Sequence, residues 1–207
     1  ITQAIAAALS RGNRLPGGQE TVAADTVLLT AEEHVSTSVR PRLEAMGADL
    51  QKVFTCCEPF DLNEEGLHML DSFIERAGAR LAVIDPIVAY LPIGMDMHRA
   101  NQVRSVMIGL SRLAERRDCA IVLVRHLAKS NADKALYRGM GSIDFAAACR
   151  SVLLAGHDAD DAQERALVQI KSNLGPIAEP VGYSIEKGQF RWTGATAVTA
   201  TRILARE

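Results

Sequence analysis

Leu81-Ala82-Val83-Ile84-Asp85 sets four apolar residues directly before a carboxylate, and Pro86 follows. An unbroken apolar run of this length, preceded by a helical pattern, reads as a strand buried on both faces of a parallel sheet. Two other stretches have the same form: Thr26-Val27-Leu28-Leu29-Thr30 leading into Ala31-Glu32-Glu33, and Ala120-Ile121-Val122-Leu123-Val124 leading into Arg125-His126. Open α/β sheets place their ligands outside the carboxyl ends of the strands. One acid, a second acid and a histidine are therefore expected to meet at a common rim.

Helical periodicity fills the intervals. The alanine-rich start, Ile1 to Ser10, stops near Gly12; Val35 to Met46 stops at Gly47; Leu62 to Ala77 is amphipathic; and Ala100 to Arg117 carries the stripe Val103, Val106, Met107, Leu110, Leu113. A short strand is expected at Lys52-Val53-Phe54-Thr55. Beyond Ala155 the pattern changes. Ser151–Ala155, Ala166–Lys171, Val181–Ile185 and Gln189–Trp192 are short strands joined by Gly, Pro and Asp-rich turns without intervening helices. The fold class is thus α/β, a mostly parallel sheet flanked by helices and extended by antiparallel strands at the C-terminal edge, read as one domain over residues 1–207. The acidic stretch His157-Asp158-Ala159-Asp160-Asp161 is expected to be a solvated hairpin turn, since its spacing fits no cation-binding loop.

Bulk properties narrow the function classes. A chain of 207 residues with 48% hydrophobic content can bury one sizeable core, and a net charge of -2 confines any nucleic-acid contact to a local basic patch. No apolar stretch is long enough to span a bilayer, so a soluble, cytoplasmic protein with no membrane partner is expected. Cys56, Cys57, Cys119 and Cys149 lack paired CxxC spacing and read as reduced, structural thiols.

The strand tips suggest a division of labour. An acid at the end of a buried strand, as Asp85 is, suits orientation of Mg2+ beside the β- and γ-phosphates of a nucleotide. Glu32 suits a general base acting on water, and His126 suits contact with the γ-phosphate.

At this point the chain resembles a known family. Leu28 to Glu33, Arg40-Pro41-Arg42-Leu43 with Gly47-Ala48-Asp49, Leu81 to Pro86, Val124-Arg125-His126-Leu127-Ala128-Lys129-Ser130 and Arg138-Gly139-Met140-Gly141-Ser142 together resemble the RecA-like ATPases of the RepA hexameric helicase type. The resemblance implies a RecA-like P-loop NTPase core using ATP and Mg2+, assembled as a homo-oligomer, a hexameric ring, that moves on or remodels single-stranded DNA. It puts Glu32 at the water-activating glutamate, with Glu33 its rival, Asp85 at the Walker B aspartate and metal position, and His126 at the sensor position.

Lys171 falls where related replicative helicases carry a KxRxG segment that reaches the neighbouring subunit's nucleotide, but Asn173 stands in place of the arginine finger. An amide cannot neutralise phosphate charge as guanidinium does, so either another arginine serves in trans, with Arg150 the nominee, or hydrolysis is slow. Lys129, Lys134 and Arg138, with Tyr137 beside them, are the expected DNA contacts.

One departure is large. No GxxxxGK[ST] segment occurs in the chain. The helix at Ile1 resembles the one that follows that loop in the family, and the missing strand and Walker A loop are expected upstream of Ile1. Two other classes remain open on sequence alone: a non-hydrolysing DNA-binding or regulatory module, and a purely structural oligomer subunit.

Overall fold

The computed structural model describes residues 1–56, 58–127, 144–186 and 188–205. Two compact units result, residues 1–126 and residues 127–207.

The first unit is a parallel sheet of four strands in the order β2-β1-β3-β4, with β1 Thr26–Thr30, β2 Val53–Cys56, β3 Leu81–Asp85 and β4 Ala120–Leu123. The two central strands carry two of the three apolar runs, and the third is β4 at an edge. All of β1 is buried, as is β3 up to Ile84, whereas β2 and β4 at the edges are partly exposed. Burial on both faces is what makes such a run favourable, because each residue then meets a helix or a neighbouring strand rather than water. Register is tight: Thr30 pairs with Asp85, and Ile84 with Leu123.

Helix α1, Thr2–Arg11, and α2, Arg40–Ala45, cover one face, where Ala6, Ala7, Val39 and Leu43 pack on Leu28, Leu81 and Val83. Helices α3, Glu64–Ala77, and α4, Ala100–Arg117, pack against each other, and α3 also meets β1. Arg117 joins them, donating to Asp71 at 2.6 and 3.1 Å and to Glu75 at 2.5 Å. The helix stops follow the glycines: Gly12 caps α1 at φ 68° and Gly78 caps α3 at φ 61°, a left-handed conformation that costs glycine little. The stretch expected as one helix from Val35 to Met46 is instead a five-residue π-helical turn, Val35–Val39, running into α2.

The second unit is an antiparallel sheet, β5-β6-β7-β8, comprising Ser151–His157, Arg165–Ser172, Val181–Glu186 and Gln189–Ala195. Its four strands are hydrogen-bonded in sequence, each to the next. A short helix, α5 at Asp144–Ala148, precedes it and another, α6 at Ala200–Leu204, follows it. The α6 side chains Ile203 and Leu204 bury one face of the sheet with Leu154, Ala166, Val168 and Val198. Tyr183, Phe190 and Trp192 form an aromatic cluster, with centroids 4.7 to 6.3 Å apart.

The acidic turn is less solvated than its composition suggests. Asp158 is buried at 3% exposure, its Oδ1 accepts from the Asp160 N–H at 2.9 Å, and its carboxylate pairs with Arg202 of α6 at 2.5 Å. Among the described residues no helix is long and apolar enough to cross a membrane, and no cluster of His, Cys, Asp or Glu is arranged to hold a metal by itself.

Candidate active site

The strand order itself places the site. From β1 the chain passes to β2 on one side and then returns to β3 on the other, so the direction of winding reverses between β1 and β3. At such a switch point the connections leave in opposite directions and open a crevice beyond the carboxyl ends of the two strands. Asp85 ends β3 there, and Glu32 lies two residues beyond the end of β1. The Ala31 N–H donates to the Asp85 carbonyl at 3.2 Å, which holds the two strand ends side by side.

His126 arrives from β4. The Val124 N–H donates to the Ile84 carbonyl, and the Ile87 N–H to the Val124 carbonyl, so the backbone beyond β4 stays pinned to β3 as far as residue 124. The His126 Nε2 then lies 3.6 Å from the Glu32 Oε2, with both side chains more than half exposed. The structure thus brings residues 32, 85 and 126 to one rim.

Asp85 is the electrostatically loaded member. Burial comes first and the neighbouring Glu33 and Glu32 carboxylates second in raising its pKa above the usual aspartate value; His126 opposes them. No hydrogen-bond donor among the described residues offsets that cost. A half-buried carboxylate beside two others attracts a divalent cation, and its hard oxygen suits Mg2+. Mg2+ needs only one or two protein carboxylates when phosphates and water complete its shell, so the residues present fit the ion without a dedicated cage.

Glu32 and Glu33, equivalent in sequence, separate here. Glu33 accepts from the Gln3 side chain of α1 at 2.8 Å and pairs with Arg42 of α2 at 2.5 Å. Glu32 turns the other way, toward His126. The first turn of α1 therefore sits at this rim too. Sequence reading did not find Gln3 or Arg42 as members of the site. They lie 30 and 9 positions from Glu33, on helices whose placement no local periodicity reveals.

The residues nominated in trans lie in the second unit. Lys171 Nζ donates to the carbonyls of Ala146, Ala147 and Cys149 at 2.9, 2.8 and 2.7 Å, so in this chain its ammonium closes the carboxyl end of α5. Arg150 is exposed, and its carbonyl accepts from the Asn173 N–H at 2.8 Å, which places it beside the segment that follows Lys171. Lys129, Lys134 and Arg138, with Tyr137, lie outside the described residues. Among the cysteines, Cys119 is buried and its thiol is pushed up to about 11, as an inert structural thiol would be.

A helix-flanked parallel sheet wound about a switch point is a RecA-like fold, and here it carries an acid beyond β1, an acid ending β3 and a histidine beyond β4. Residues 1–132 match the family model described as AAA domain, and the chain belongs to that family. Among solved structures it is similar to a KaiC-like protein from the hyperthermophilic archaeon Pyrococcus horikoshii OT3, with a TM-score of 0.59 and 14% identity over 82% of this chain and 75% of that one. No curated protein matches the chain.

Proposed function

We propose that this chain is the ATP-hydrolysing core of a DNA motor of the RepA hexameric helicase type, coupling nucleotide turnover to movement on, or remodelling of, single-stranded DNA. The observation that carries the reading is the meeting of Glu32, Asp85 and His126 at the β1/β3 switch point, with Asp85 half-buried among carboxylates.

In this reading Asp85 is the residue that holds Mg2+, which when bound supplies charge neutralisation at the phosphates. Glu32, exposed at the rim, takes the proton of the attacking water. His126, facing Glu32, reports the state of the γ-phosphate to the end of β4. The phosphates rest against the start of α1, where the helix dipole and unpaired N–H groups favour anions. The reading includes a phosphate loop ahead of Ile1, since none occurs within the 207 residues. Lys129, Lys134 and Arg138 are the proposed DNA contacts, and Lys171 and Arg150 the proposed trans contacts across a ring interface. For Lys171 that requires release from α5.

The test is steady-state ATP hydrolysis stimulated by single-stranded DNA, on a polypeptide that includes the sequence ahead of Ile1. Glu32→Gln is expected to lower kcat by about a hundredfold or more while nucleotide binding persists. Wild-type rates in Glu32→Gln, Asp85→Asn and His126→Ala together would remove the assignment.

A further inference from the structure

We infer that Glu33 is a positioning residue rather than the general base: with Gln3 and Arg42 it forms a clamp that fastens the first turn of α1 to the end of β1 and leaves Glu32 as the carboxylate that faces the reacting water. The inference rests on the ATPase reading of the rim and deepens it.

Three observations support it. First, both Glu33 carboxylate oxygens are engaged, Oε2 by the Gln3 amide at 2.8 Å and Oε1 by the Arg42 guanidinium at 2.5 Å. A general base must swing a lone pair toward water, and a carboxylate held at both oxygens by side chains of two helices is less free to do so than Glu32. Second, the partners come from different elements. Gln3 belongs to α1 and Arg42 to α2, so the carboxylate joins two helices to the strand end whose next-door residue is Glu32. The same two helices pack together on the sheet through Ala6, Ala7 and Leu43, with Val39 of the π-helical turn beside them, so the polar clamp sits at the rim of an apolar contact that already aligns them. Third, adjacent residues leaving a strand end point in different directions. With Glu33 drawn to α1 and α2, Glu32 is turned toward His126, 3.6 Å away.

The consequence for chemistry is a separation of tasks within one Glu-Glu pair. Glu33 sets where the start of α1, and hence an anion resting on it, lies relative to Asp85. Glu32 handles the proton.

The experiment compares Glu33→Gln, Arg42→Gln and the exchanged pair Glu33→Arg with Arg42→Glu, using turnover and hydrogen exchange of the 1–11 segment on the same polypeptide. A clamp predicts that Glu33→Gln and Arg42→Gln behave alike: KM for ATP rises about three- to fivefold, kcat changes less, exchange in 1–11 speeds up, and the exchanged pair recovers part of both. If Glu33→Gln loses about a hundredfold in kcat at unchanged KM while Arg42→Gln is normal, Glu33 is a base, and the clamp is overturned with the ATPase reading intact. Unchanged exchange in both single variants overturns the clamp directly, as does faster exchange with no change in KM. If the parent shows no turnover at all, the ATPase reading fails, and the exchange measurements still decide whether Glu33 fastens α1.

Discussion

Three charged or titratable groups at the rim of the parallel sheet, Glu32, Asp85 and His126, are treated in the opposite way from Asp158 and Lys171 on the antiparallel sheet. At the rim, Glu32 and His126 face each other at 3.6 Å in the open, and Asp85 is half-buried beside like charges. In the second unit, Asp158 and Arg202 meet at 2.5 Å with Asp158 buried, and Lys171 spends its ammonium on three carbonyls. A charge satisfied by its own fold contributes to stability and has little left for a ligand. A charge left unsatisfied costs stability and remains available, which is why perturbed groups concentrate at functional sites.

That contrast can be broken by substitution. The largest expected effect is at Glu32: Glu32→Gln lowers kcat for ATP by about a hundredfold or more, yet shifts the urea midpoint by less than about 0.5 kcal/mol equivalent, because the side chain is exposed and loosely paired. The reverse pattern, lost stability with intact turnover, would erase the distinction between the two regions.

Next comes Lys171. Lys171→Met leaves the terminal carbonyls of α5 without their donor and is expected to cost about 1–2 kcal/mol in chemical denaturation, with Lys171→Arg recovering part of it. If Lys171→Met unfolds at the parental midpoint, the contact with α5 is incidental.

Acid titration sharpens the comparison through its sign. The Arg202 guanidinium first, and the Asp160 N–H second, hold the Asp158 carboxyl below its ordinary value. The stability this supplies is present above the unfolded value of about 3.9 and is lost as pH falls through the lower folded value. Urea midpoints measured from pH 6 down to pH 3 should therefore fall more steeply for the parent than for Asp158→Asn.

Asp85 has the opposite sign and the smallest expected effect. Its pKa is raised, so its contribution is greatest below about 3.9 and is lost as pH rises through the folded value. Without divalent cations, Asp85→Asn is expected to melt slightly above the parent at pH 7 and at the same temperature near pH 3. A lower melting temperature at pH 7 would mean that Asp85 is a structural anchor.

Much of the fold was legible before the structure, and for a definite reason. Unbroken apolar runs such as Val27-Leu28-Leu29 and Leu81-Ala82-Val83-Ile84 must be covered on both faces, and the helices between them carry single apolar stripes; together these leave few arrangements other than a helix-flanked parallel sheet. The polar residue ending each run marked the rim. Less legible were the short elements. The helices α5 and α6 have five residues each, too few to show a period, and the π-helical turn at Val35–Val39 shares its spacing with an ordinary helix.

Which of the two acids is held by other side chains was beyond the sequence. Glu32 and Glu33 are identical in type and adjacent, and only the arrival of Gln3 and Arg42 from two separate helices distinguishes them. The same holds for Asp158, whose surroundings of alanine and aspartate read as solvent-facing until Arg202, 44 residues away, closes over it. Local sequence sets which segments avoid water and where each strand ends, because burial depends on residue type and period. Which charges are paired and which stay free depends on distances between residues far apart in the chain, and those distances exist only once the layers have packed.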